Sequence, residues 1–277
     1  AMDAPEGGAL TFGQLYSKFQ RLSGRHRRPG AHLLHSLFDA VRTERHLELA
    51  LDALTLCRTR VVAFNDRTPA KLVAACDRVG RPEAAYEVLS EHVRYRLWPG
   101  RRTYQRLMLS AAVGARDADL FAKCAALLPR AGGGARGTAG GTDLPERNGS
   151  AYHDIVHCCR VLGDVAGIAA AVREAKADGV ALRRSTYVEM CKAVAAVDVA
   201  GAEPALAEAD LATLRAAAAA AGAFDHPVNA SVAADAIRAL DDLEAASSAE
   251  TVEPDGGGGD NDNDGAEGED EAAADGK

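Results

Sequence analysis

A 35-residue period constrains the fold of this chain more than any other feature of its sequence. One helix-pair pattern occupies residues 31–65, recurs over 66–100 and starts again at 101. The same frame returns at 149–183 and begins once more at 184. Periods of roughly 20 to 50 residues are typical of solenoids, in which each unit buries its apolar face only against its neighbours. The period therefore predicts a stacked array rather than a single globular core.

The apolar pattern inside the units predicts helices. Leu33, Leu34, Leu37, Phe38 and Val41 recur at spacings of three and four, which place them on one helical face. Aromatic residues make up only 5% of the chain, so its core must be built from Ala, Leu and Val, which suits closely approaching helices. We predict an all-α fold, namely a right-handed α-solenoid of about five helix-turn-helix repeats with terminal capping helices.

Changes in composition predict the limits of the array. A Gly-rich stretch follows Pro129, and it has too few bulky apolar side chains to offset the entropy of ordering, so we predict a flexible insertion. A stretch rich in Asp, Glu and Gly near the end is predicted to be disordered. The predicted segments are a disordered N-terminus at 1–9, an N-terminal helix and basic loop at 10–30, repeats 1–3 at 31–130, the insertion at 131–147, repeats 4–5 at 148–221, a capping helix at 222–248 and a disordered acidic tail at 249–277.

Turn and capping residues predict individual helix ends. Gly80 stands where the first helix of the second unit must turn, and Pro82 suits the first turn of the helix that follows. We also expect helices from Leu10 to Leu22, from Leu47 to about Arg58, and from Pro227 or Val228 to about Ala246.

The charge of the chain is unevenly distributed. Residues 249–277 hold eleven acidic residues and one Lys, whereas the rest of the chain is close to neutral. Residues 1–116 hold 19 Lys and Arg against 11 acidic residues, and 17 of those 19 cations are Arg. Arg pairs with phosphate through two hydrogen bonds, so this half of the chain suits an anionic partner as well as an ordinary solvated surface.

Cysteine, metal and membrane patterns exclude several classes. The six Cys residues lack CxxC spacing and lie in apolar helical runs, so we predict reduced core residues. His153, His157, Cys158 and Cys159 are close in sequence, but their side chains should diverge around the helix, so we predict no metal site. The chain has no run of 18 apolar residues, and we predict no contact with a membrane.

Several positions of the repeat resemble the pentatricopeptide repeat family. The resemblance covers about residues 31–218 and rests on Thr103-Tyr104-Gln105, Gly80-Arg81, Ala85, Gly179-Val180 and Pro99, which match the family's TYN, GR, Ala and GxxP positions. The 35-residue step and the lack of Gly at position 8 argue against the 34-residue tetratricopeptide repeat.

This resemblance implies an organellar protein that binds single-stranded RNA. Repeats of this family recognise bases through positions 5 and 35 of each unit. At those positions only Asn65 belongs to the family's usual set, so we expect contacts with the RNA backbone more than recognition of bases. The predicted RNA-binding residues are Arg25, Arg27, Arg28, His35, Asn65, Arg101, Arg102, Gln105, His153, Arg183 and Arg184.

The function expected from these patterns is that of a non-catalytic scaffold. No catalytic residues, cofactor or metal site are predicted, because no convergent constellation of catalytic groups can be identified. The leading expectation is a structural component of the mitochondrial ribosome that contacts the rRNA backbone and neighbouring subunits. A chloroplast location stays open, and we expect a targeting presequence to be absent from this chain. The alternatives are an organellar RNA-binding factor for transcript stability, processing or translation, and a protein-binding helical-repeat adaptor.

Overall fold

The regular elements of the protein are helical throughout the parts of the chain that can be described. A computed structural model describes residues 10–24, 29–129, 146–196, 206–223 and 227–250. These residues form thirteen α-helices and one π-helical segment: α1 (Phe12–Gly24), α2 (Ala31–Ala40), α3 (Glu44–Thr59), α4 (Arg67–Arg78), α5 (Pro82–Ser90), α6 (His92–Tyr95), α7 (Arg101–Leu109), the π-helical segment (Ser110–Ala115), α8 (Ala118–Ala126), α9 (Gly149–Leu162), α10 (Val165–Ala177), α11 (Arg184–Ala195), α12 (Glu208–Gly222) and α13 (Pro227–Glu250).

The helices form five stacked pairs. The first helices of the units are α2, α4, α7, α9 and α11, and each packs directly against the first helix of the next unit. The second helices α3, α5, α8, α10 and α12 pack beside them. Helix α1 covers α2 and α3 at one end, and α13 covers α11 and α12 at the other. The predicted all-helical solenoid with terminal capping helices is confirmed.

Equivalent hydrogen bonds show that the 35-residue frame is a physical repeat. His35 Nε2 and Thr68 Oγ1 lie 2.8 Å apart between α2 and α4. His153 Nδ1 and Thr186 Oγ1 lie 3.3 Å apart between α9 and α11. With residues 31, 66, 101, 149 and 184 counted as position 1 of their units, both pairs join position 5 of one unit to position 3 of the next. The first helices therefore run parallel and in the same register in both halves of the array.

Two glycines make the turn between the helices of their units, as predicted for Gly80. Gly80 and Gly163 occupy position 15, with φ angles of 69° and 76° that side chains rarely adopt. The third unit has Ala115 at this position. There the π-helical segment carries the chain one residue further, and Arg116 takes the left-handed conformation with φ 53°. The π-helical turn thus compensates for the missing glycine.

The core consists mainly of Ala, Leu, Val and Cys side chains, together with buried aromatic residues such as Phe19, Phe38, Tyr104 and Tyr152. All six cysteines are buried, as predicted for core residues. Burial raises the pKa of Cys57, Cys76, Cys124, Cys158 and Cys159 to about 12. These thiols are therefore protonated at neutral pH.

Several helix ends differ from the sequence-based expectation. Helix α1 lies two residues further along the chain than predicted. Helix α3 begins at Glu44 rather than at Leu47, because the Thr43 side chain accepts a hydrogen bond from His46 N and caps the helix there. Helix α13 continues to Glu250, past the predicted Ala246, because its Ala, Ser and Glu residues contain no helix breaker before Pro254. The other segment limits stay predictions, and 1–9, 131–145 and 251–277 lie outside the described residues.

Arg147 joins the third and fourth units, although we placed it inside the flexible insertion. Its side chain is 11% exposed and forms an ion pair with Glu174 of α10 at 2.6 Å. It also donates hydrogen bonds to the carbonyl oxygens of Ala125 and Leu128 at the end of α8, at 2.8 and 2.9 Å. Its guanidinium lies 5.9 Å from the centre of the Tyr152 ring. One side chain therefore connects both blocks of repeats.

We expect Arg147→Ala to lower the free energy of unfolding by about 2 to 4 kcal/mol, because it leaves a carboxylate and two helix-terminal carbonyls without their partner. Chemical unfolding followed by circular dichroism would measure this. The control is Arg238→Ala, which removes a side chain that is 73% exposed and should change stability by less than about 0.5 kcal/mol. Equal effects of the two substitutions would contradict the role given to Arg147.

Candidate nucleic-acid interface

The amino-terminal turns of the first helices lie along one edge of the solenoid, because these helices pack side by side and in parallel. We call this line of turns the first-helix edge. None of the five helices α2, α4, α7, α9 and α11 has an acidic residue in its first turn. By contrast, α3, α5, α8 and α12 each carry Asp or Glu there. Acidic residues usually stabilise this end of a helix, and none of the first helices has such a residue within its first turn. The second helix α10 also lacks one.

Arginines add positive charge to the same edge. Arg67 begins α4, Arg101 and Arg102 begin α7, and Arg183 and Arg184 stand at the start of α11. Four of the five are exposed, and Arg101 is half-buried. We call these five residues the cationic edge. The exposed carboxyl residues Asp66 and Glu146 are also close, so the positive charge exceeds the negative charge there by three.

Two of these arginines also hold the array together. Arg101 Nε donates a hydrogen bond to the backbone oxygen of Glu146 at 3.0 Å. Arg184 donates through its guanidinium to the side-chain oxygen of Asn229 in α13, when that amide is oriented with its oxygen towards Arg184. Asn229 is 7% exposed, so this contact ties the last unit to the terminal helix. The guanidinium groups are thereby held at defined places on the edge.

The middle of the first-helix surface is neutralised by ion pairs between units. Lys71 of α4 pairs with Asp39 of α2 at 2.6 Å. Arg106 of α7 pairs with Asp77 of α4 at 3.1 Å, and Asp77 also accepts a hydrogen bond from Ser110 at 2.8 Å. The cations at position 6 in units 2 and 3 are thus matched by carboxylates of the preceding unit.

Between units 4 and 5 the charges are reversed, with an acidic residue at position 6 of unit 5 and a basic residue at position 12 of unit 4. Glu189 of α11, at position 6, pairs with Arg160 of α9 at 2.6 Å and lies 3.6 Å from His157. Burial acts to raise the pKa of the Glu189 carboxyl, but Arg160 and Lys192 outweigh it and hold the pKa below its usual value. Because the charges of these pairs are reversed, moving a unit from one half of the array into the other half would bring like charges together.

The predicted position-5 residues contact the next unit. His35 and His153 bond to Thr68 and Thr186, as described above. Gln105 Nε2 donates to Asp154 Oδ2 at 2.7 Å and to Ser150 Oγ at 3.3 Å. All three side chains are half-buried. Their polar atoms therefore stabilise the stacking of the units.

The other predicted RNA-binding residues are placed in different ways. Asn65 accepts a hydrogen bond from Arg67 N at 3.2 Å and so caps α4. Arg102 and Arg183 are exposed on the edge. Arg25, Arg27 and Arg28 lie outside the described residues. The predicted set therefore divides between the cationic edge and the contacts between units, and it does not form one compact site.

The histidine and cysteine cluster of α9 does not converge on a metal-binding point. Cys158 and Cys159 are buried in the core. His153 bonds to Thr186, and His157 faces Glu189. Within the described ranges, no group of three or more His, Cys, Asp or Glu side chains is arranged to hold a metal ion. Nor does any helix in those ranges combine the length and apolar character needed to cross a membrane.

The sequence interpretation missed the charge pattern between units and the place of Arg67. Positions 6, 9 and 12 carry complementary charges in neighbouring units, and the repeat frame alone would have revealed this for Asp39 and Lys71. Arg67 and Arg102 share position 2, so alignment of the units would also have placed Arg67 at the edge. The contact between Arg147 and Glu174 has no such signal, since it crosses the irregular spacer.

Comparison with known proteins gives a structural similarity and no sequence family. No family model matches the chain, and no curated protein matches it. Among solved structures, it is similar to the crystal structure of the pentatricopeptide repeat protein PPR10 from maize, with 14% identity and a TM-score of 0.37. The similarity covers 83% of this chain and 40% of the maize chain. A similarity at this level does not assign a family.

The environment of His35 predicts a pH dependence of stability. Burial and then the charge of Lys71 lower the pKa of His35 below its ordinary value of 6.5, although Asp39 acts in the opposite direction. The unfolded chain therefore binds the His35 proton more tightly than the folded chain does. The contribution of neutral His35 to stability is fully present above about pH 6.5 and is lost as the pH falls through the folded-state pKa.

We therefore expect unfolding midpoints to fall between about pH 7.5 and pH 5, and His35→Gln to remove part of that slope. Gln keeps a polar partner for Thr68 but does not titrate. An NMR titration of the His35 ring in the folded protein would give its pKa directly. A value at or above 6.5 would contradict this explanation.

Proposed function

We propose that this chain is a non-catalytic helical-repeat scaffold that binds RNA through its phosphate backbone along the cationic edge. The observation that carries the proposal is the combination at one edge of Arg67, Arg101, Arg102, Arg183 and Arg184 with five helix amino termini that lack acidic residues. The helix dipole favours anions at such ends, and Arg adds bidentate contacts to phosphate.

Contacts of this kind position RNA without selecting its sequence. Phosphate contacts carry no direct base information, whereas base recognition needs side chains that are free to face the base edges. His35, Gln105 and His153 are engaged between units, which supports backbone binding over base recognition. A sequence-specific RNA factor is therefore the less favoured alternative.

The place of action that we propose is an organellar ribonucleoprotein. The repeat frame resembles a family that acts on organellar RNA, and we favour a structural subunit of the mitochondrial ribosome that contacts rRNA and neighbouring subunits. A chloroplast particle is the alternative. A tagged chain should sediment with ribosomal particles from mitochondria. Sedimentation of the intact protein entirely apart from those particles would exclude this place of action but would leave RNA binding itself open.

The edge predicts how RNA affinity depends on salt. We expect binding to oligouridine and oligoadenine of about 20 nucleotides to be similar and to weaken steeply between about 50 and 300 mM salt. The double variant Arg67→Ala, Arg102→Ala should weaken binding to both and reduce the slope of log K against log salt by about 1.4. Fluorescence anisotropy at several salt concentrations measures both quantities.

The matched control is Arg45→Ala, Arg238→Ala, which removes the same charge from exposed sites on α3 and α13. It should leave the slope close to that of the unmodified chain. Equal loss in the two double variants would mean that net charge alone attracts RNA and would overturn the proposed edge. A strong preference for one oligonucleotide that persists at high salt would favour the sequence-specific alternative instead.

A further inference from the structure

A groove separates the second helices of the first two units. Elsewhere, α10 packs closely against α12, and Arg173 pairs with Asp210 across them. Helices α3 and α5 instead leave a groove of about 420 Å³ between them. Arg81 pairs with Glu44 at 3.2 Å across one end of these helices. Near the end of α3, Arg58 lies 5.3 Å from the centre of the Tyr95 ring of α6. These contacts join α3 to the start of α5 and to α6.

The lining of this groove combines an apolar floor with negative charge. Leu51, Ala84 and Val88 provide the apolar surface, while the ionisable lining residues other than tyrosine are Glu87 and Glu91. Both carboxylates are exposed. Glu91 pairs with Arg94 at 2.6 Å, whereas Glu87 forms no ion pair with any residue that the structure describes. The groove therefore offers an apolar contact next to a carboxylate that lacks a cation.

Exposed apolar side chains accompany the groove. Val93 on α6 is 60% exposed, and Trp98 just beyond α6 is 48% exposed. Val61 follows the end of α3 and is 49% exposed, with a φ of 55° that is unusual for a β-branched residue. These three are half of the six large apolar side chains found exposed among the described residues. All three stand close in the chain to lining residues of the groove, and exposed apolar side chains near an apolar groove favour a protein interaction site.

We propose that this face, defined by α3, α5, α6 and Trp98, binds a basic segment of a partner protein. An apolar side chain of the partner would enter between Leu51 and Val88, and a neighbouring Lys or Arg would pair with Glu87 and Glu91. The carboxylate of Glu87, which has no ion pair with a described residue, disfavours RNA in the groove because it repels phosphate. The proposal does not rest on RNA binding by the cationic edge, which lies on the first helices.

A peptide probe and the single tryptophan of the chain test this directly. The probe is an amphipathic peptide of about 12 Lys and Leu residues, compared with a peptide that has Glu in place of every Lys. Trp98 is the only Trp in the chain, so the emission comes from one position, between α6 and α7. We expect the Lys peptide to shift that emission to shorter wavelength with saturation, and the Glu peptide to leave it unchanged.

Two double variants and one single variant of the full chain locate the peptide-binding site. Glu87→Gln, Glu91→Gln should weaken the Trp98 response about fivefold, because it removes both carboxylates but keeps their size. Ala84→Phe should abolish the response by filling the groove. Glu267→Gln, Glu269→Gln removes the same charge from the acidic segment and should leave the response unchanged. Circular dichroism melting curves verify that each variant is folded.

Several results would overturn the proposal. One is the lack of any saturable shift with the Lys peptide, and another is an equal shift with the Glu peptide. Loss of the response with Ala84→Phe but not with the Gln variant would show that the face selects apolar segments without regard to charge. A shift produced by oligouridine that persists in the Arg67→Ala, Arg102→Ala variant would assign the face to nucleic acid. A shift that depends on protein concentration without peptide would assign it to a second copy of the chain.

Discussion

The parallel packing of the first helices is the constraint on which the rest of the structure depends. It is fixed by polar contacts that recur in register: position 5 to position 3, and positions 9 and 12 to position 6 of the next unit. His35 with Thr68 and His153 with Thr186 are the clearest equivalents. This packing places every first-helix amino terminus at one edge. The same packing pairs the polar side chains in the middle of the first-helix surface with residues of the neighbouring unit.

The two faces of the array therefore differ in charge and in what they can bind. The cationic edge combines helix amino termini with arginines, and the ion pairs behind it neutralise the surface between units. The groove between α3 and α5 combines carboxylates with apolar side chains. The proposed binding of RNA at one face and of a basic protein segment at another needs this separation, since one surface of either charge would attract one partner and repel the other.

The sequence predicted those parts of the fold that repeat. The 35-residue period, the turn at Gly80 and the buried cysteines follow from local periodicity and backbone preference, and the structure confirms them. Arg147 could not be predicted, because its partners Ala125, Leu128 and Glu174 are brought to it only by the stacking of units across a spacer without repeat character. The prediction for His35, Gln105 and His153 rests on their position in the frame. Position alone did not reveal that His35, Gln105 and His153 bond to the next unit.

Crosslinking of RNA to the full chain is the most direct test of the central claim that RNA lies along the amino termini of the first helices. Oligouridine that contains 4-thiouridine would be photo-crosslinked at moderate salt, and the modified residues would be located by mass spectrometry. The claim predicts crosslinks concentrated at 66–68, 100–103 and 183–185. Crosslinks concentrated on α3, α5 or α6, or spread evenly over the surface, would contradict it.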